Sequence, residues 1–492
     1  MTDPADPQPQ PQPVRSVGRA ALGGIGWIGA GTAVAKVASL IANFALGWLL
    51  AEGDYKLYAM AISVTALVGA LRNGGAAKLL IQRREEYDDI AWPLARIALA
   101  FNLLGGAIVA ALAWPVATQH GQPAVMWLML LLAASFPLNT APTVLQARLR
   151  AELRFKDLTL ITMRSTILRY ASMIAFAATG FGPFSFVLPQ ILATVFEWVA
   201  MQRVAGRIPR PRLDAPPRTR ELLHQLKWVL GVTLGVALIT NVHILVIGFA
   251  APLLVGAFFF GFNLMRAVSQ LFTQNLVGVV LPSFVRLKGQ PDRQRDAMSR
   301  SVRLLTQATA PICLVGFVLA YPLVDFAWQG KWTHTVVVVQ WLLLALPPRL
   351  MGSVGISVLE SMGRWRTQAA LTYVDAATLA ATAFVAIQLD GGLTELAMAI
   401  GVQRFLAGMM YVATPAALLR VGPVRLAYQA MGPLACYLAA AGLLMNLGLH
   451  APQHWPTALA VAAAAAVVWA IASLTVYRGD AQYLLRLASR RG

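Results

Sequence analysis

Apolar stretches long enough to cross a bilayer fill this chain almost end to end, and the lysines and arginines between them fall on every second loop. Hydrocarbon offers no water to satisfy backbone N–H and C=O groups, so a spanning stretch of roughly 20 apolar residues has to be a helix. The pattern predicts an all-α polytopic membrane protein with about fourteen transmembrane helices. Their spans read as approximately 20–50, 55–81, 91–117, 123–147, 158–180, 184–203, 227–249, 253–284, 304–326, 335–359, 367–389, 393–419, 425–448 and 455–477.

Outside the spans, only Lys56 and Lys331 fall on the side opposite the other basic residues. The positive-inside bias therefore predicts that both termini are cytoplasmic. A net charge of +19 would suggest nucleic acid in a soluble protein, but here the cations sit in short loops and topology accounts for them. No nucleic-acid partner is expected. Only 12% of residues are charged, against about 25% in soluble domains, so this core faces lipid.

Cys313 and Cys436 both lie in apolar segments, and no Cys or His spacing suggests a disulfide framework or a metal site. No cofactor is expected either: the chain has no GxxxxGK[ST], no HExxH and no Ser-His-Asp arrangement. The Pro/Gln run from Pro7 to Pro13 lacks the apolar region of a signal peptide and reads as a disordered tail.

The longest polar interruption, about Val204 to Gln225, carries Arg207, Arg210, Arg212, Arg218 and Arg220 among Pro209, Pro211, Pro216 and Pro217. The expected organisation is a tail at 1–19, an N-lobe of helices 1–6 at 20–203 and a basic Pro-rich linker at 204–226. A C-lobe of helices 7–12 follows at 227–419, then helices 13–14 at 420–478 and a cytoplasmic tail at 479–492. An even number of spans per half makes the two six-helix lobes parallel and pseudo-symmetric. Leu40-Ile41-Ala42-Asn43 and Leu238-Ile239-Thr240-Asn241, in the opening span of each half, support a weak repeat. No loop is long enough to fold into a separate catalytic domain.

Charges at mid-bilayer cost roughly 2.5–3.5 kcal/mol each on insertion scales, so those present are expected to face protein or an aqueous cavity. The intramembrane bases are Lys36, Arg72, Arg96, Arg164, Arg169, Arg266, Arg349 and Arg404, and the clear acids are Glu197 and Asp375. Helical spacing stacks Thr32, Lys36, Ser39 and Asn43 on one face, and Asn263, Arg266, Gln270 and Gln274 on another. Such stripes can line a hydrated path and hold a phosphate or sugar hydroxyls, or serve as polar interhelical packing. Arg72 lies too deep for easy snorkelling.

Glu197 is expected to pair with Arg164 or Arg169, and Asp375 with Arg349 or Arg404. The competing role for both acids is proton coupling, and His243 is the third candidate for it, weighed against a satisfied packing histidine. Pro347-Pro348 predict a kink in the tenth span.

Several short segments occur in a shared order. They are Gly53-Asp54-Tyr55-Lys56-Leu57-Tyr58-Ala59, Leu80-Ile81-Gln82-Arg83-Arg84-Glu85, Leu149-Arg150-Ala151-Glu152-Leu153-Arg154-Phe155, Leu281-Pro282-Ser283-Phe284 and Gly330-Lys331-Trp332. In these the chain resembles the Wzx-type polysaccharide flippases of the multidrug/oligosaccharidyl-lipid/polysaccharide exporter superfamily. The resemblance implies two six-helix lobes arranged as a V, with Lys36, Arg72 and Arg266 facing one cleft.

It also implies translocation of undecaprenyl-diphosphate-linked oligosaccharide from the cytoplasmic to the periplasmic leaflet of the bacterial inner membrane, by alternating access. Exopolysaccharide, capsule or O-antigen assembly would be served, with a polysaccharide polymerase and glycosyltransferases as pathway partners. The alternatives are a multidrug or cation antiporter of the same superfamily, a lipid-linked peptidoglycan-precursor flippase and a membrane enzyme. The chain departs from its relatives at His243, where they usually carry aspartate, and at Lys56, which replaces a loop glycine.

Overall fold

The computed structural model describes residues 14–69, 72, 76, 79–80, 86–152, 154–209, 219–287, 289–422 and 432–476. Among them are fifteen α-helices and two short 3-10 turns, with no strand. The first eight helices are α1 (Val14–Leu49), α2 (Glu52–Gly69), α3 (Tyr87–His120), α4 (Pro123–Leu138), α5 (Thr140–Ala151), α6 (Phe155–Ala178), α7 (Leu188–Ala205) and α8 (Thr219–Ala250). The remainder are α9 (Val255–Arg286), α10 (Pro291–Trp328), α11 (Val336–Ser361), α12 (Trp365–Gln388), α13 (Leu393–Leu418), α14 (Gly432–Asn446) and α15 (Trp455–Val476).

The chain is a multi-pass membrane protein. Eight helices among the described residues are long and apolar enough to cross a bilayer, or nine if α4 and α5 count as one span bent by 42°. That bend falls at Asn139, between Pro137 and Pro142, where the Asn139 amide donates to the Ser135 carbonyl at 2.8 Å. The other expected spans also fall on helices. α2 and α6 carry several charges, which lowers their hydropathy, and in α9, α14 and α15 the described apolar stretch is short.

Two expected boundaries of the tail and linker differ. α1 already includes residues 14–19, and α8 begins at Thr219, so the last residues assigned to the linker are helical. Residues 1–13 and 477–492 lie outside the described residues.

Contacts divide the chain into two units, one of Met1–Leu49 with Val68–Leu230, the other of Leu50–Leu67 with Gly231–Gly492. Within the first, α1 lies along α6, close enough that a Cβ on Gly31 would collide with Thr159 Cγ2. α3 packs on α4, and α6 on α7. Asn102 on α3 is fully buried and donates to the Thr140 hydroxyl at 2.7 Å.

The second unit is organised around α11, most of whose residues are buried. α11 and α13 meet through glycines. A Cβ on Gly408 would stand 2.5 Å from the Pro348 carbonyl carbon, and one on Gly355 would overlap the Tyr411 carbonyl. Small residues let backbones approach where lipid supplies no hydrophobic drive between helices. Pro347 and Pro348 lie inside α11, and α14 and α15 pack against α10.

Two of the sequence segments singled out above meet in this unit. Asp54 accepts the Ala51 N–H at 2.8 Å and so starts α2, and Tyr55 packs edge-on against Phe260 and Trp332 at 5.2 and 5.1 Å. Phe260 stacks on Trp332 at 3.9 Å, and Lys331 Nζ donates to the Leu50 carbonyl at 2.6 Å. His334 adds a contact of 3.3 Å to Glu52.

A cationic pocket on the second unit

On α9, Phe262, Met265, Arg266 and Ser269 recur at helical spacing, and on α11 so do Leu342, Ala345, Leu346 and Arg349. Each set is one face of its helix. The two faces, with Arg404 from α13, enclose a small pocket of about 20 Å³, room for roughly one water. Three guanidinium groups line it. Arg266 and Arg349 remain accessible, whereas Arg404 is buried.

Arg404 joins three helices. Its Nη1 lies 3.5 Å from Asp375 Oδ1 on α12, with both side chains only 5% accessible, and its Nη2 donates to the Ile239 carbonyl of α8 at 2.5 Å. Of the two partners expected for Asp375, the structure selects Arg404. The Asp375 carboxylate also accepts from Gln403 Nε2 at 3.0 Å, and Gln403 reaches the Thr378 hydroxyl at 3.1 Å. Arg349 and Tyr411 lie within electrostatic reach of Asp375.

Asp375 is the carboxylate among the described residues that offsets Arg349 and Arg404. Arg266 and Arg349 form no ion pair within 4 Å among those residues. One carboxylate against three guanidinium groups leaves two positive charges in excess inside the spans, and at roughly 2.5–3.5 kcal/mol each these are costly unless an anion or water meets them. A planar fork of donors suits a phosphate oxygen pair.

His243 on α8 is fully buried, edge-on to Phe262 at 4.7 Å and Phe258 at 5.8 Å. It packs, but it is not satisfied: neither ring nitrogen has a hydrogen-bond partner among the described residues. Arg404 and Arg349 lie within electrostatic reach of it.

The remaining residues singled out in the sequence divide as follows. Asn263 is half-buried on α9, and the side chains of Gln270 and Gln274 lie outside the described residues. In the first unit Thr32, Lys36 and Ser39 are half-buried along α1, and Asn43 donates to the Ser39 carbonyl at 2.7 Å and to its hydroxyl at 3.3 Å. Part of that stripe therefore satisfies its own helix. Lys36 has no ion pair within 4 Å among the described residues. The Arg72 guanidinium lies 5.8 Å over the Phe136 ring, a cation–π contact.

Glu197 forms no ion pair within 4 Å with Arg164 or Arg169 among the described residues, although Arg169 lies within electrostatic reach of it. Glu197 instead accepts from Gln146 Nε2 at 2.5 Å, and Arg169 lies over the Tyr170 ring at 4.6 Å. A neutral amide at the end of the α4–α5 segment reaches the acid first. Sequence reasoning treated Arg349 only as a partner for Asp375. The signal that marks it for the pocket is its register with Leu342, Ala345 and Leu346.

Residues 45–337 match the family model described as polysaccharide biosynthesis protein. The chain belongs to that family. Among curated relatives, this polysaccharide biosynthesis protein is 23% identical over 366 residues, 71% of each chain, to the succinoglycan biosynthesis transport protein ExoT of Rhizobium meliloti (strain 1021).

Its fold is that of solved transporters. The lipid II flippase MurJ in an inward closed conformation aligns with a TM-score of 0.71 at 12% identity, over 92% of this chain and 98% of that one. An inward-facing multidrug resistance MATE family transporter of the MOP superfamily aligns with a TM-score of 0.62 at 12% identity, over 78% and 94%. The curated relative and these solved structures are transport proteins or flippases rather than bond-making enzymes.

Proposed function

We propose that this protein is a flippase that carries an undecaprenyl-diphosphate-linked oligosaccharide from the cytoplasmic to the periplasmic leaflet of a bacterial inner membrane, for exopolysaccharide, capsule or O-antigen assembly. The observation that carries the reading is the convergence of Arg266, Arg349 and Arg404 on one pocket whose only nearby carboxylate among the described residues is Asp375. A pocket with excess positive charge favours an anionic headgroup and repels a cationic drug. Lys36 and Arg72 supply further cations in the first unit, where Thr32, Ser39 and Asn43 offer hydroxyl and amide groups to sugar. Asn263, Gln270 and Gln274 form the polar stripe read from the sequence of α9 in the second unit, and the lysine and arginine bias supports cytoplasmic termini.

Family membership and the succinoglycan transport relative support polysaccharide as the cargo class. A polymerase and glycosyltransferases of the same pathway would consume and supply the substrate. The test is deletion of the gene in its host. Loss of surface polysaccharide, with lipid-linked repeat units accumulating in the inner leaflet, is expected. Rescue should follow the wild type but not Arg349→Gln or Arg266→Ala at equal expression. Dye efflux without a polysaccharide defect would reject the reading.

A further inference from the structure

A transport site has to release what it binds, and a pocket of unopposed guanidinium groups would hold a diphosphate too well. We infer that Asp375 is an internal competitor: its carboxylate contends with the substrate's phosphates for Arg404 and keeps the site weak enough to discharge. This rests on the anionic-substrate reading above and goes beyond it by assigning Asp375 a tuning role.

The geometry carries the inference. Asp375 Oδ1 lies 3.5 Å from Arg404 Nη1, a loose contact for so buried a pair, and Gln403 holds the carboxylate from the other side at 3.0 Å. Arg404 lines the same pocket as Arg266 and Arg349, and since the pocket itself has room for about one water, a phosphate is met by the accessible Arg266 and Arg349 while the buried Arg404 that Asp375 contacts acts on it through the field they share. Three guanidinium groups against one carboxylate leave two positive charges. A diphosphate diester brings one negative charge on each phosphoryl group, which balances those two. The groups facing Asp375 are Arg404 and Gln403 from α13, Tyr411 from the same helix, Arg349 from α11, and Thr378 on its own helix.

The experiment uses full-length protein in lipid nanodiscs with tritiated farnesyl diphosphate as the probe and farnesol as the uncharged control. Asp375→Asn keeps the shape and the Gln403 contact while raising the pocket charge by one. It is expected to bind the probe on the order of ten-fold tighter and to translocate lipid-linked substrate more slowly. Arg404→Gln should bind more weakly, and the double variant, with both charges removed, should return close to wild-type affinity.

Unchanged or weaker binding by Asp375→Asn, at a wild-type melting temperature, overturns the inference and leaves the flippase reading standing. If the single variant does not fold, a double variant no tighter than Arg404→Gln alone overturns it. Absence of wild-type binding to the probe above the farnesol background overturns both.

Discussion

The Tyr437 hydroxyl donates to the Leu343 carbonyl at 3.0 Å, the acceptor that Pro347 leaves without its helical donor four residues on. Proline in a span is tolerated when a neighbouring helix satisfies the freed carbonyl, and here α14 does so for α11. Tyr437→Phe removes that donor and leaves a buried carbonyl open. It is expected to destabilise by about 0.6–1.7 kcal/mol, the range of interhelical hydrogen bonds in membranes, measured as a lowered unfolding midpoint in detergent.

The α11–α13 contact depends on the absence of side chains at Gly355 and Gly408. A Cβ at Gly408 meets Pro348 backbone at 2.5 Å, and backbone atoms cannot rotate aside. Gly408→Ala and Gly355→Ala should each cost about 1–3 kcal/mol, as overpacking does, and lower the yield of folded protein by size exclusion. Gly442→Ala, with nothing within 4 Å, is the neutral control.

His243 packs edge-on to Phe258 and Phe262 with both ring nitrogens unpartnered among the described residues. An unsatisfied buried polar group costs about 1–3 kcal/mol, so His243→Phe is expected to raise the unfolding midpoint. Transport by this variant then decides whether the imidazole serves in ion coupling. Activity retained at higher stability assigns it to packing, and activity lost at higher stability assigns it to transport.

Outside the spans, Lys331 donates to the Leu50 carbonyl, and burial lowers its pKa below the usual 10.5 despite Asp54 nearby. Between that lowered value and 10.5 the unfolded chain binds more protons than the folded one, so stability rises with pH through the window. The gain is small because the ammonium is largely solvated. Melting curves at pH 8 and pH 10 should show this rise in the wild type and less of it in Lys331→Gln.

Hydropathy made nearly every helix legible, because the bilayer leaves the backbone one solution, and the charged pocket was half legible for the same reason. Arg266 was identified from its helical stripe. Which arginine meets Asp375 depends on the rotation of α11 against α13, and that is set by Gly352, Gly355, Gly401 and Gly408, which look like any other glycines in an apolar helix. Gln146 passed unnoticed because it is uncharged, yet it occupies Glu197. α10 begins at Pro291, well before the expected 304, since hydropathy discounts its charged first turns although Pro291 and Asp292 mark a helix start.

The most direct measurement is translocation of a fluorescent polyprenyl-diphosphate oligosaccharide in proteoliposomes, comparing wild type with Arg349→Gln at equal reconstitution. Arg349 forms no ion pair within 4 Å among the described residues, so its replacement spares the Arg404–Asp375 contact. Transport is expected to fall by on the order of ten-fold or more with the fold unchanged, as loss of a charge-assisted contact to phosphate implies. Wild-type rates in Arg349→Gln would contradict a role for the pocket in holding the substrate.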